Sequence, residues 1–381
     1  MFLSVILAKT KKSMEMITIK DVVNHLESWA PPSFQENYDN SGLLTGSSTS
    51  AVLGILVTLD CTEAVVDEAI ASKCNLIVAH HPIIFKGIKK LTGQNYVERT
   101  VIKAIKNDIA IYAIHTNLDN VHQGVNKKIA DIIGLKNLKV LVPKKNTLTK
   151  LVTFIPKENA DAVIQALHEA GAGNIGQYKN CSFRISGTGT FRPTEGATPH
   201  VGKANELEKI EEVRVELILP THLESNIMKA LSANHPYEEV AHYLTRLENE
   251  NQEVGAGMIG ELENSLEPIA FLERLKIMMN TATIRHTSPI SGKKLKKIAV
   301  CGGSGSFLLG AAIAKGADAY VSADFKYHEF FDADGKTLIA DVGHYESEQF
   351  TKELLIEVIK EKFNTFAIIF SKTNTNPISY L

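Results

Sequence analysis

The sequence predicts an α/β fold made of two related α/β halves, interrupted by an inserted α+β domain of ferredoxin-like order. Three observations carry this. Apolar strand-like runs alternate with helical stretches over residues 52–114 and again over 297–370. Between them, residues 150–247 read strand, helix, strand, strand, helix, strand. Finally, Ile55–His81 shifted by 243 residues falls on Ile298–Asp324 without a gap, with identities such as Ile55/Ile298, Val57/Val300 and Val78/Val321. Strand lies on strand and helix on helix, as a duplicated half would require.

Taken in order, Thr18–Trp29 is an amphipathic helix with Thr18 as N-cap and Ile19, Val22, Val23 and Leu26 on one face. Glu36–Leu43 has the Gly, Asn and Asp of a polar loop. Val52–Leu59 is a strand, and Thr62 caps a helix through Ala71. Leu76–Ala79 is a buried strand that runs into His80-His81-Pro82, where proline ends a clean ladder. Val97–Asn107 is a helix, and Ile109–Ile114 a strand ending in His115-Thr-Asn-Leu-Asp119. The first half of the core therefore spans 14–135, with a lysine-rich linker expected at 136–149.

In the insert, 150–250, strands are expected at Lys150–Ile155, Tyr178–Phe191, Glu212–Leu219 and Val240–Leu247. Its helices are Asn159–Ala170 and Leu223–Ala233. No dense His/Cys/Asp cluster lies there, which suits an assembly, lid or regulatory role; His235-Pro-Tyr-Glu-Glu239 reads as a turn before the last strand. The second half, 254–381, brings the helix Glu267–Met279, the strand Lys297–Cys301 and the loop Gly302-Gly-Ser-Gly-Ser306. A helix Ser306–Lys315, strands Asp318–Ser322 and Thr337–Ala340, a long helix to Phe363 and a last strand Phe366–Phe370 follow.

With 381 residues, 44% hydrophobic and 22% charged, the chain has the composition of a soluble globular protein with room for two domains. A formal net charge of −2 gives no electrostatic case for nucleic acid or a membrane surface. No apolar run reaches the roughly 18 residues of a transmembrane helix. Residues 1–13 place a short apolar segment before the lysines, the reverse of a signal peptide, so the folded part is expected to begin near Met14. Cys61, Cys74, Cys181 and Cys301 form no CxxC pair and read as small core residues of a reducing cytoplasm.

Parallel α/β sheets bind ligands past their strand C-termini. Collected there are His80, His81, His115 and Asp119 from the first half, and Asp324, His328, His344, Glu346 and Glu348 from the second. His344 and Glu348 are four apart at a helix start and share one face. With His80, His81 and Asp119 they make three histidines and two carboxylates. That is more than one catalytic zinc takes from protein, and it suits two cations with a bridging carboxylate. Mixed imidazole and carboxylate fits Zn, Fe, Mn, Co or Ni, and argues against Cu(I) or an iron–sulfur cluster. The two halves would thus form one metal-binding core. The loop Gly302–Ser306 matches neither GxGxxG nor GxxxxGK[ST]; it cradles a phosphate or simply packs closely at a tight turn.

The strings Asp39-Asn-Ser-Gly42, Ala79-His-His-Pro-Ile-Ile-Phe85, His115-Thr-Asn-Leu-Asp119, Gly302-Gly-Ser-Gly305, Ser322-Ala-Asp-Phe-Lys-Tyr-His-Glu329 and Asp341-Val-Gly-His-Tyr-Glu-Ser-Glu348 span nearly the whole chain. As a set they resemble the Nif-three-like family, the GTP cyclohydrolase 1 type 2 homologs. The resemblance implies a dinuclear site held by His80, His81, Asp119, His344 and Glu348. It also implies a toroidal homohexamer, and a PII-like or CutA-like insert. Two positions depart from the family pattern: Tyr38 replaces a tryptophan, and Met258 an arginine in Gly255-Ala-Gly-Met-Ile-Gly260, which puts a phosphate-binding role there in doubt.

The expected activity is metal-dependent hydrolysis, with a metal-activated bridging water as nucleophile and a small molecule, on the family's label a nucleotide, as substrate. His115, Asp324 and His328 are the candidate orienters or proton carriers. The alternative is a metal-binding or metal-delivery scaffold without turnover, with the insert as a sensor.

Overall fold

The computed structural model describes residues 16–381; the expected start near Met14 and the reading of the segment before it lie outside the described residues. The chain forms two compact units, one of the residues up to Val142 together with Gly255–Leu381, the other of Pro143–Val254.

The first unit holds two sheets. One runs Gly42–Thr45, Ala110–Ala113, Leu76–Ala79, Gly54–Thr58, Ala367–Phe370 in spatial order. Four of these strands are parallel, and Gly42–Thr45 pairs antiparallel at the edge. The other runs Arg285–His286, Leu338–Asp341, Ala319–Ala323, Leu295–Ser304, Gly255–Leu266, Lys136–Pro143. Leu295–Ser304, Ala319–Ala323 and Leu338–Asp341 are parallel, flanked by antiparallel neighbours. Both sheets place their three central parallel strands in the same order, with an antiparallel strand beside the third. The segments matched by the 243-residue shift are in each case strand, helical turns and parallel strand.

Alternation along each strand distributes side chains between cores. Ile55, Val57, Leu76, Val78 and Tyr112 face a central core that also takes Ile298, Val300, Val321 and Ala340 from the second sheet. The helices Ile19–Trp29, Val125–Ile133, Pro268–Met278 and Thr351–Lys362 contribute to the same core. Leu56, Ile77, Ala79 and Ile111 face the other way, against the helices Glu63–Ala71 and Tyr96–Lys106. Strands covered on both faces are apolar throughout, which is why Leu76–Ala79 reads as an unbroken hydrophobic run. Local capping sets the helix starts: Thr18 and Asp21 form a capping box, and the Thr62 side chain accepts from the Val65 amide.

Several expectations are corrected. Lys136–Pro143 is an edge strand of the second sheet rather than a linker; its lysines face out while Val140 and Leu141 are buried. Gly42–Thr45 and Gly255–Leu266 are strands that the sequence reading left out. The first glycines of the Gly302–Ser306 loop belong to the strand Leu295–Ser304. The long C-terminal helix is broken into His344–Glu348 and Thr351–Lys362. The last strand pairs with Gly54–Thr58, so the C-terminal half gives its final strand to the sheet of the N-terminal half.

The second unit has one four-stranded sheet, in the order Phe183–Phe191, Glu208–Pro220, Leu148–Pro156, His242–Arg246, with every neighbour antiparallel. Helices Ala160–Glu169 and Glu224–Asn234 cover one face through Val163, Leu167, Ile227 and Leu231, against Leu151, Ile155, Val215 and Leu217. The Lys144 amide donates to the Val254 carbonyl at 2.9 Å, which joins the two ends of the unit. Among the described residues no helix is long and apolar enough to cross a membrane. The four cysteines are free, three of them buried.

Candidate metal centre

The site lies at strand C-termini of the first unit. His80 and His81 follow Leu76–Ala79 directly, held there by amide hydrogen bonds to the carbonyls of Thr58 and Leu59. Asp119 ends the short helix Thr116–Asp119 past Ala110–Ala113. His344 and Glu348 open and close the helix His344–Glu348 past Leu338–Asp341.

His80, His81 and Glu348 form a group close enough to hold a metal ion. Glu348 is the hub, 3% exposed at its side chain. One of its oxygens lies 3.7 Å from His80 Nε2; the other lies 2.9 Å from His81 Nε2 and 3.2 Å from His344 Nε2. Asp119 Oδ1 is 3.6 Å from His80 Nε2, too far for a hydrogen bond. Both of those buried atoms lack a hydrogen-bond partner. A buried acceptor left unpaired costs about 1–3 kcal/mol, so two beside each other mark a place prepared for something else.

Each imidazole is tied back through its other nitrogen. His80 donates from Nδ1 to the Ile114 carbonyl at 2.8 Å, which points Nε2 toward Asp119 and Glu348. His81 Nδ1 meets Asp60 Oδ1 at 2.7 Å, and His344 Nδ1 meets Asp324 Oδ2 at 2.7 Å. His115 Nδ1 meets the buried Asp39 at 2.8 Å, and its ring sits 5.4 Å from those of both His80 and His81. A carbonyl or carboxylate behind each imidazole is the usual support for a histidine that ligates metal. Borderline divalent cations fit this donor set of imidazoles and carboxylates.

The electrostatics agree. Burial opposes charge on His81, but Asp60 and Glu348 on its two nitrogens outweigh it and raise the imidazole to about 9. His344 is likewise raised, to about 11, by Glu348 and Asp324 against burial. Burial and the neighbouring Glu348 push Asp119 up, whereas the imidazoles around Glu348 hold it well below the usual carboxylate range despite its burial. The raised values of His81 and His344 favour their protonated forms beside Glu348. Divalent charge at the same place would replace those protons.

Backbone glycines permit the packing. A Cβ on Gly303, whose φ is +59°, would come within 2.4 Å of Glu348 Oε1. The Gly302 and Gly303 amides already donate to Asn126 Oδ1 and Ser347 Oγ at 3.0 and 2.9 Å. The glycine-rich turn is therefore a close-approach device, and those amides are not free to cradle a phosphate.

Of the sequence candidates, His80, His81, Asp119, His344 and Glu348 come together, with His115 beside them and Asp324 behind His344. His328 does not. It is exposed in the 3₁₀ segment Tyr327–Ala333, its ring against Tyr327 and Phe331. Glu346 is buried and accepts from Asn376 Nδ2 at 3.0 Å instead. Sequence reasoning missed Asp39 and Asp60. Asp60 lies two residues past the strand Gly54–Thr58, so the search of strand ends that found His80 and His115 would have reached it if extended to that strand. A cavity of about 820 Å³ opens over the cluster, lined by His81, His115, Asp119, His344 and Glu348 together with Tyr38 and Phe85.

An α/β scaffold with a partly buried imidazole–carboxylate cluster at its strand C-termini defines a protein with a candidate metal site. The chain belongs to the Duf34/NIF3 (NGG1p interacting factor 3) family, whose model matches residues 17–377. It is 38% identical over 374 residues to a GTP cyclohydrolase 1 type 2 homolog of Halalkalibacterium halodurans, covering 97% of this chain and 100% of that protein. A Bacillus subtilis protein of the same name is 36% identical over 368 residues, covering 95% and 98%. Among solved structures, a Bacillus cereus protein related to NIF3 superposes with a TM-score of 0.85 at 37% identity, over 96% of this chain and all of that one.

Proposed function

We propose that this protein is a metal-dependent hydrolase with a dinuclear centre held by His80, His81, Asp119, His344 and Glu348. The observation that carries the reading is the convergence of three imidazole Nε2 atoms on one buried carboxylate, with each Nδ1 tied back. Two divalent cations there would supply Lewis acidity and a water acidic enough to ionise near neutral pH. Glu348, with one oxygen toward His80 and the other toward His81 and His344, would help to hold the cations. Asp60, Asp324 and the Ile114 carbonyl orient the imidazoles. His115, backed by Asp39 and lining the cavity, is the group to carry a proton between the centre and a bound substrate. His328 has no part in this scheme.

The names of the relatives support a nucleotide-related small molecule as substrate. The antiparallel order of the second unit supports a ferredoxin-like insert of PII or CutA type, acting on access or assembly. A cytoplasmic toroidal homohexamer is the assembly we propose. A metal-delivery scaffold without turnover is the second reading, favoured by the burial of His80 and Glu348.

Metal analysis and turnover separate the two. We expect about two transition-metal ions per chain, lost in His80→Ala and Glu348→Ala, and metal-dependent product from GTP or a panel of phosphate esters. Failure to take up any metal would sink the centre. Tight metal binding without product across the panel would favour the scaffold.

A further inference from the structure

Two carboxylates beside the proposed centre take hydrogen bonds from neighbouring residues of one segment. Asp60 divides its oxygens: Oδ1 meets His81 Nδ1 at 2.7 Å, and Oδ2 accepts from Thr375 Oγ1 at 2.6 Å. Glu346, buried in the helix His344–Glu348, accepts from Asn376 Nδ2 at 3.0 Å. The Tyr380 hydroxyl stands beside the same carboxylate. Asp60 supports a ligand from the first half of the core, and Glu346 sits between two ligands of the second, His344 and Glu348. Consecutive residues at 375 and 376 therefore join the two halves of the site.

The segment is held in this position from both directions. Upstream, Ser371, Lys372 and Thr373 donate to Glu68, and the Ser371 amide donates to the Val57 carbonyl at 2.9 Å. The Asn376 amide donates to Asn374 Oδ1, and the Ile378 amide to Asn376 Oδ1, both at 3.1 Å. Asn376 thus uses its side-chain oxygen in the local turn, which presents its NH2 group to Glu346. A buried carboxylate without donors is costly, and here the segment supplies one to the helix that carries the ligands. Asp60, His81, His344 and Pro377 border two cavities, one of about 820 Å³ and one of about 170 Å³. Thr375 lies on the first, and Asn376 and Ile378 lie on the second.

We propose that residues 371–380 act as a strap that fixes His81 and His344 relative to each other and slows the exchange of metal, with Thr375 and Asn376 as its positioning residues. The inference rests on the proposed centre for the identity of the ligands held. Thr375 acts on His81 through Asp60. Asn376 acts on the helix of His344 and Glu348 through Glu346.

The test is the release of zinc from the full-length, zinc-loaded protein to an excess of chromophoric chelator, with the visible spectrum of the cobalt-substituted protein and circular dichroism alongside. Thr375→Val keeps the shape of the side chain and removes its hydroxyl. It should speed zinc release about tenfold, the lower end of what losing support behind a ligating histidine does to metal affinity. Thr375→Ser should restore the native rate. Asn376→Ala should also speed release, and Thr375→Val and Asn376→Ala should both shift the cobalt bands. Unchanged release and unchanged bands in these two folded variants overturn the strap, because a segment that only covers surface changes stability without moving the bands. A Thr375→Ser protein that releases zinc as fast as Thr375→Val overturns it too. Hydrogen exchange of the metal-free proteins separates the strap from the centre: both variants should exchange faster than the native chain over 58–62 and 343–348. A native chain that takes up no zinc removes the centre, and equal exchange over those residues removes the strap.

Discussion

Asp60 is the sharpest place to test the site, because it supports a ligand without being one. Its Oδ1 lies 2.7 Å from His81 Nδ1, and its Oδ2 accepts from Thr375 Oγ1 at 2.6 Å. Asp60→Ala leaves the His81 ring with no partner behind it and removes the charge that makes its Nε2 more basic. A charge-assisted hydrogen bond of this kind contributes about 1.5–3 kcal/mol. Losing a carboxylate behind a ligating histidine typically lowers metal affinity about 10–100-fold, roughly 1.4–2.7 kcal/mol, which is the same range. The assay is zinc competition against a chromophoric chelator at fixed pH, with circular dichroism to confirm folding. Asp318→Ala is the control. That carboxylate accepts from the Lys296 and Lys297 amides and takes no part in the cluster. Zinc affinity unchanged in folded Asp60→Ala protein, or lowered equally by Asp318→Ala, would refute the reasoning.

Zinc binding to metal-free protein at pH 7 should release about two protons from His81 and His344, held protonated to about 9 and about 11, and a further fraction from Asp119, raised to about 7. Calorimetry in buffers of different ionisation enthalpy counts them, and zero would contradict the assignment. In the metal-free protein the raised histidine values stabilise the fold fully below the unfolded value near about 6.5. That contribution is lost as pH climbs past about 9 and then about 11, whereas zinc affinity rises over the same range. Gly303→Ala should lower both melting temperature and zinc affinity, by about 1–3 kcal/mol in stability, since its Cβ collides with Glu348 at a left-handed φ. An undiminished melting temperature would show that the turn can relax. Glu68 accepts from Ser371, Lys372 and Thr373, which pin the chain after the last strand. Burial opposes this charge, yet those donors hold the carboxyl below its ordinary value, so the clamp is present above that value and lost as pH falls through the lowered one. Glu68→Ala should make the C-terminal segment sensitive to protease at neutral pH, and an unchanged digestion pattern would count against the clamp.

What local chemistry controls was legible in the sequence. Capping threonines at 18 and 62 start their helices, and the unbroken apolar run Leu76–Ala79 is a strand covered on both faces. His80-His81 stand at its end because Pro82 follows. The i, i+4 spacing of His344 and Glu348 was enough to place them on one face of a helix. These signals lie within a few residues of the features they determine, so one chain without its fold expresses them.

Tertiary structure decided the rest. Lys136–Pro143 has the lysines of a linker, and only an available sheet edge makes it a strand. Pairing of Ala367–Phe370 with Gly54–Thr58 joins segments more than 300 residues apart, for which no local pattern codes. His328 stands near a strand end as the ligand candidates do, yet the chain after Asp324, at φ +59°, turns its ring outward onto Tyr327 and Phe331. Asp39 and Asp60 look like any loop carboxylates until burial brings them behind His115 and His81. Residue type and spacing determine which groups are able to ligate. Which of them meet, and what stands behind them, depends on long-range packing, because a buried carboxylate is stable only where partners from distant strands surround it.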